Sequence, residues 1–111
     1  MNPGDESFHE WINEQLERLP DFCSRRMFGG SGLYSGGRFF GLVYQSRLYF
    51  RTSDDTRAAY TAAGMEHFQP NPKQSLKNYY EVPANVLEDH DALTRWAMAA
   101  IQVSTVYYTG R

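Results

Sequence analysis

The stretch from Met27 to Tyr44 constrains this chain most. It reads Met-Phe-Gly-Gly-Ser-Gly-Leu-Tyr-Ser-Gly-Gly-Arg-Phe-Phe-Gly-Leu-Val-Tyr, aromatic and apolar residues broken at short intervals by glycine. Rings and branched residues favour a pleated, half-buried surface, and glycines at these intervals mark reversals, so the segment reads as strands rather than helix. Gly36-Gly37 supplies the two positive-φ positions of a tight hairpin, and Gln45-Ser46 marks a second reversal before Arg47-Leu48-Tyr49-Phe50-Arg51. Three antiparallel strands follow.

The flanking segments change period. Ser7-Phe8-His9-Glu10 has the form of a capping box, which places a helix start at Ser7. Phe8, Trp11, Ile12, Leu16 and Leu19 then form one apolar stripe, with Glu10, Glu14 and Glu17 facing water until Pro20 stops the run. Ser53-Asp54-Asp55 caps a short alanine-rich helix that ends at Gly64. Met65 to Gln69 and Leu76 to Val82 read as two further strands joined through Pro70-Asn71-Pro72. Asp89 caps a last helix in which Leu93, Trp96, Ala97, Ala100 and Ile101 recur at helical spacing. The order is α-β-β-β-α-β-β-α, an α+β fold with an antiparallel sheet of about five strands and helices packed on one face. With 111 residues and no linker or repeat, residues 1–111 are expected to form a single domain.

Composition narrows the function. Eleven Lys+Arg against thirteen Asp+Glu leave a net charge of −2, which offers no global attraction for polyphosphate. Residues 1–24 hold six acids and one base, whereas residues 25–57 hold six arginines and two acids. Pairing of helix acids with strand arginines within the molecule is the plain explanation; an exposed basic sheet half is the other. One cysteine, Cys23, forms no internal disulfide, and neither an export signal nor an apolar run of membrane length is present, so a cytoplasmic protein is expected, with no membrane partner.

The central hairpin carries the functional expectation. A two-residue turn at Gln45-Ser46 sets Tyr44 opposite Arg47, Val43 opposite Leu48, Leu42 opposite Tyr49, Gly41 opposite Phe50 and Phe40 opposite Arg51. Alternation gives one core face of Phe39, Gly41, Val43, Leu48 and Phe50, with Gly41 leaving room for the Phe50 ring. The other face carries Phe40, Leu42, Tyr44 and Tyr49 among Arg47 and Arg51. Rings interleaved with arginine suit a protein interface, so these six residues are the expected partner-binding surface, most simply in a homodimer. The same mixture stacks unpaired bases, which makes nucleic-acid binding the alternative. A cover from flanking segments, or a register slip of one residue, would remove or invert the surface.

Chemistry is sparse. Gly29-Gly30-Ser31-Gly32 lacks the lysine and the following helix of a phosphate loop and reads as a bulged strand entry. His9, His67 and His90 fall on separate elements without metal-ligand spacing, and Asp89-His90-Asp91 is explained by helix capping. Cys23 beside Arg25 and Arg26 is the one nucleophile that could support an enzyme. No catalytic residue, cofactor site or metal site is expected, and the chain reads as a non-enzyme.

Arg26-Met27-Phe28-Gly29-Gly30-Ser31-Gly32-Leu33-Tyr34, Phe40-Gly41-Leu42-Val43 and Leu48-Tyr49-Phe50-Arg51 together resemble the N-terminal domain of the TfoX/Sxy family. Asp54 to Gly64, Tyr79-Tyr80-Glu81-Val82-Pro83 and the Trp96 helix extend the likeness over roughly residues 22–102. The resemblance implies a two-layer α+β domain similar to secretion chaperones, many of which pair through their sheets. It also implies a role in regulation of natural competence beside a cyclic-AMP-responsive transcription factor. Longer members add a second helical domain; this chain is expected to be a stand-alone first domain. No catalytic residues transfer from the family.

Overall fold

The turn at Gln45-Ser46 sets the register of the whole sheet. In the computed structural model, which describes residues 3–27 and 29–104, Tyr44 pairs with Arg47, Val43 with Leu48, Leu42 with Tyr49 and Gly41 with Phe50, as the two-residue turn requires. These belong to β3 (Arg38–Tyr44) and β4 (Arg47–Arg51). Before them come α1 (Pro3–Leu16), β1 (Phe22–Met27) and β2 (Gly30–Ser35); after them come α2 (Asp54–Ala62), β5 (His67–Asn71), β6 (Gln74–Glu81), α3 (Ala84–Leu87) and α4 (His90–Gln102). The strands form one sheet in the order β1-β2-β3-β4-β6-β5, and each neighbouring pair is antiparallel.

Local chemistry accounts for most ends. Gly36 and Gly37 both take positive φ, 56° and 81°, between β2 and β3. Ser53 caps α2: its hydroxyl accepts from the Thr56 N–H, and the Thr56 hydroxyl accepts from the Ser53 N–H at 2.8 Å. Asp89 caps α4 by accepting from the Ala92 N–H at 3.1 Å. The start of α1 differs from expectation. The helix begins at Pro3, four residues before Ser7, because proline suits a first helical position and Asp5 and Glu6 complement the positive end of the first turn. The sheet has one strand more than expected. β1 is polar, Cys-Ser-Arg-Arg at its centre, and carries no alternation to betray it because both its faces are exposed.

The main core lies between the sheet and the helices. Ile12, Leu16 and Leu19, Tyr60 of α2, Val86 of α3 and Leu93, Ala97 and Ala100 of α4 close over Leu33, Phe40, Val43, Leu48, Phe50 and Val82. Arg38 donates to the Ser104 carbonyl just beyond α4, placing a cation near that helix's negative end. His9, buried on α1, hydrogen-bonds through Nε2 to the Gln45 carbonyl at 3.1 Å, and its Nδ1 lies 3.4 Å from the Ser31 hydroxyl. The first helix is thereby tied to the turn that sets the register.

Two assignments of the alternation are corrected. Phe40 is fully buried on the helix side, and Phe39 faces the opposite side. The cause is a β-bulge: Leu33 pairs with Gly41 and Tyr34 with Phe39, leaving Phe40 as the extra residue on β3. One inserted residue shifts the pleat by one, so Phe40 and Gly41 both turn toward the helices.

Gly41 is held by close approach. A Cβ there would stand 2.8 Å from the Tyr49 carbonyl oxygen and 2.9 Å from Phe50 Cδ1. Gly41→Val is expected to lower the urea midpoint by the equivalent of about 1–3 kcal/mol, the range for overpacking; an unchanged midpoint would show that the strand moves aside freely. A companion test is Tyr79→Phe, which removes the hydrogen bond from the Tyr79 hydroxyl to the buried Phe39 carbonyl at 2.7 Å. It should cost about 1–2 kcal/mol in the same titration.

Candidate contact surface

With the described helices on one face, the opposite face of the sheet must be covered by something else or remain wet. It is covered by the sheet itself. Phe39, Leu42, Tyr49, Phe68 and Tyr79 form a second buried cluster, with Met27, Tyr34, Tyr44 and Leu76 packed around it. Phe68 lies on β5, three places from β3 in the sheet, yet its ring meets Tyr44 at 5.3 Å and Tyr49 at 5.1 Å, both edge to face. Tyr79 of β6 meets Phe39 at 4.8 Å, and Phe39 stacks on Tyr34 at 5.3 Å. The β5–β6 hairpin therefore curls over this face, and each such ring pair adds about 0.5–1.5 kcal/mol beyond area burial.

The expected open face of six residues is corrected accordingly. Phe40 is in the helix-side core, and Leu42 and Tyr49 are buried at 2% and 8% exposure under the chain's own rings. Tyr44 is half-buried against Phe68, and Arg51 is half-buried with its guanidinium carbon 5.5 Å from the centre of the Tyr79 ring. Arg47 alone of the six is exposed. Among the described residues, the rings of this face are packed against one another.

What remains open is a cleft of about 740 Å³ at the margin of the cluster, with Tyr44, Arg47, Tyr49, His67, Gln69 and Glu81 among its walls. Arg47 Nη1 donates to Glu81 Oε1 at 2.9 Å. That contact holds the guanidinium still further toward its charged form. At 59% side-chain exposure for Arg47 the pair is screened by water and contributes about 0–1 kcal/mol, so it orients the rim rather than holding the fold together. A neighbouring hollow shares Gln45, Arg47 and Glu81 and adds Asp5 and Ser46, whose hydroxyl donates to Asp5 Oδ1 at 2.6 Å. The sequence did not place Glu81, His67 or Phe68 at this surface: Glu81 arrives there by the pairing of β6 with β4, where it lies opposite Tyr49, and His67 and Phe68 lie on β5, whose Phe68 reaches the central hairpin through the curl.

The remaining candidates have structural explanations. Gly30 lies under β3, where a side chain would run into the Val43 carbonyl, so close strand packing accounts for it. His90 Nδ1 lies 3.0 Å from Gln15 Oε1, joining α4 to α1. Cys23 is exposed on β1. Among the described residues no cluster of His, Cys, Asp and Glu is arranged to hold a metal, and no helix is long and apolar enough to cross a membrane.

Burial gives the fold a pH dependence. Burial first, then the Glu81 carboxylate, raises the pKa of Tyr49, and burial raises that of Tyr60 further. The folded state therefore holds phenolic protons that the unfolded chain releases near pH 10. Stability should be constant through neutral pH and fall as pH rises above about 10. A Tyr60→Phe variant should lose less over pH 9–11 than wild type in urea titrations; identical losses would contradict this assignment.

The TfoX N-terminal domain family matches residues 14–104, spanning β1 through α4. The DNA transformation protein TfoX1 of Aliivibrio fischeri is 35% identical over 69 residues, a match covering 60% of this chain and 33% of that protein. The chain thus spans about a third of its relative's length. With the family match covering most of the described residues, the antiparallel sheet and its helices included, the chain belongs to the TfoX N-terminal domain family.

Proposed function

We propose that this domain is a non-catalytic protein-contact module acting in the regulation of DNA transformation. Tyr44, Arg47 and Arg51 at the margin of the ring cluster form its contact surface, and a second copy of the chain is its first partner. The carrying observation is the open cleft beside Tyr44 and Arg47: it borders a rigid, ring-filled cluster and presents an aromatic side chain and an oriented arginine together. Aromatic residues and arginine are enriched where protein surfaces desolvate each other. The link to DNA transformation rests on family membership and on the name of the relative.

Two measurements test this reading. Sedimentation at rising concentration should show association that Arg47→Glu weakens, because that change sets two carboxylates together at the rim; a monomer throughout removes the second copy as partner. In cells of the source organism, deletion of the gene should change transformation frequency, and Arg47→Glu should fail to restore it. Full restoration would remove this rim from the function, and an unchanged frequency on deletion would remove the role in transformation.

A further inference from the structure

α2 and α4 part over a hollow of about 280 Å³ on the helix side of the molecule, and none of its lining residues is shared with the cleft beside Arg47. Alanine makes the room. Ala59 of α2 and Ala99 of α4 stand on its walls, where longer side chains would close it. Tyr60 and Trp96, one from each helix, meet edge to face at 4.7 Å and form an aromatic wall. Tyr60 is buried by the fold and Trp96 only half-buried, so the indole keeps a ring surface to offer. A closed cavity of about 150 Å³ accepts benzene, so this hollow has room for a six-membered ring and a short chain attached to it.

Two charges stand at the same hollow. Asp55 comes from α2 and Arg95 from α4, and both are exposed. Among the described residues, neither side chain has an ion-pair or hydrogen-bond partner, whereas the adjacent Asp54 takes Arg57 at 3.1 Å. Arg51 also borders the hollow, but its guanidinium carbon lies 5.5 Å from the centre of the Tyr79 ring, part of the cluster on the other sheet face, so its charge is already engaged. A ligand carrying one charge gains from one of Asp55 and Arg95 and is opposed by the other; a ligand carrying both charges gains from both. Ring and charges together select one class of occupant.

We propose that the hollow between α2 and α4 binds a small aromatic zwitterion of the size of a free aromatic amino acid, with its ring against Tyr60 and Trp96, its carboxylate toward Arg95 and its ammonium toward Asp55. Exposed ion pairs are each worth little, so the affinity is modest, with a Kd on the order of 1 mM, and selectivity comes from the need for both charges. This site goes beyond the protein-contact reading and does not depend on it.

Titration of the full chain with L-phenylalanine, followed by the NMR signal of the Trp96 indole N–H, tests it. That signal should shift and saturate, while the signal of Trp11 on α1 stays in place. 3-Phenylpropionate, which lacks the ammonium, and 2-phenylethylamine, which lacks the carboxylate, should each bind about fivefold more weakly, the worth of one exposed ion pair. Arg95→Gln should weaken L-phenylalanine about fivefold without weakening 2-phenylethylamine, and Asp55→Asn should do the same with 3-phenylpropionate as the unaffected compound. Ala59→Trp, which fills the hollow, should abolish the shift, and Arg47→Glu should leave it intact, so that failure here is distinguishable from failure at the rim. Three results would overturn the proposal: no shift of Trp96 at tens of millimolar L-phenylalanine, equal affinity for the three compounds, or equal affinity for N-acetyl-L-phenylalaninamide. The last would assign the hollow to an aromatic side chain of a partner protein.

Discussion

A sheet apolar on both faces, with the described helices packed on only one of them, has to cover the other face by bending. That constraint governs this molecule. Phe68 is the residue through which it is met: it sits on the far strand of the sheet and reaches Tyr44 and Tyr49 on the central hairpin. The bulge at Phe40 serves the same end from the other side. By sending Phe40 to the helices and Phe39 to the rings, it gives each core a phenylalanine from adjacent positions of one strand. The Tyr79 hydroxyl then satisfies the Phe39 carbonyl inside the second core, so the ring cluster is closed by a hydrogen bond as well as by packing.

Much of this was legible from local chemistry. The Gly36-Gly37 turn, the Gln45-Ser46 register, the Ser53 and Asp89 caps and the apolar stripe of α4 each depend on residues close in sequence, where dihedral preference and capping decide the outcome. The reading failed where distant or subtle causes decide. Strict alternation could not register an extra residue at Phe40, and one such residue reverses the face of everything beyond it. β1 has no apolar pattern because its four central residues, Cys23 to Arg26, are exposed and only its end residues Phe22 and Met27 pack against the cores. Nothing within His67-Phe68-Gln69-Pro70 says that Phe68 lands on Tyr49; sheet twist and hairpin curl determine that.

The candidate site shows the same division. Residue types characteristic of an interface were recognisable at Tyr44, Arg47, Tyr49 and Arg51, but composition does not reveal whether rings are consumed by the protomer or offered to another. Here they are largely consumed, and the free surface contracts to the margin beside Arg47 and Glu81. Contraction has a physical benefit: a broad exposed ring face would be an aggregation hazard, whereas a small rim beside a rigid cluster keeps its side chains oriented without that exposure. The two sheet edges add a contrast: β5 is interrupted by Pro70, whereas β1 pairs with β2 without a shift.

The β5–β6 hairpin folds back over the ring face. Aromatic nuclear Overhauser effects measured on the folded protein test it most directly. Cross-peaks are expected from the Phe68 ring protons to those of both Tyr44 and Tyr49, whose ring centres lie 5.3 and 5.1 Å away. Their absence, with Tyr49 ring protons exposed to a solvent paramagnetic probe, would contradict it and return the open face to the surface of the molecule.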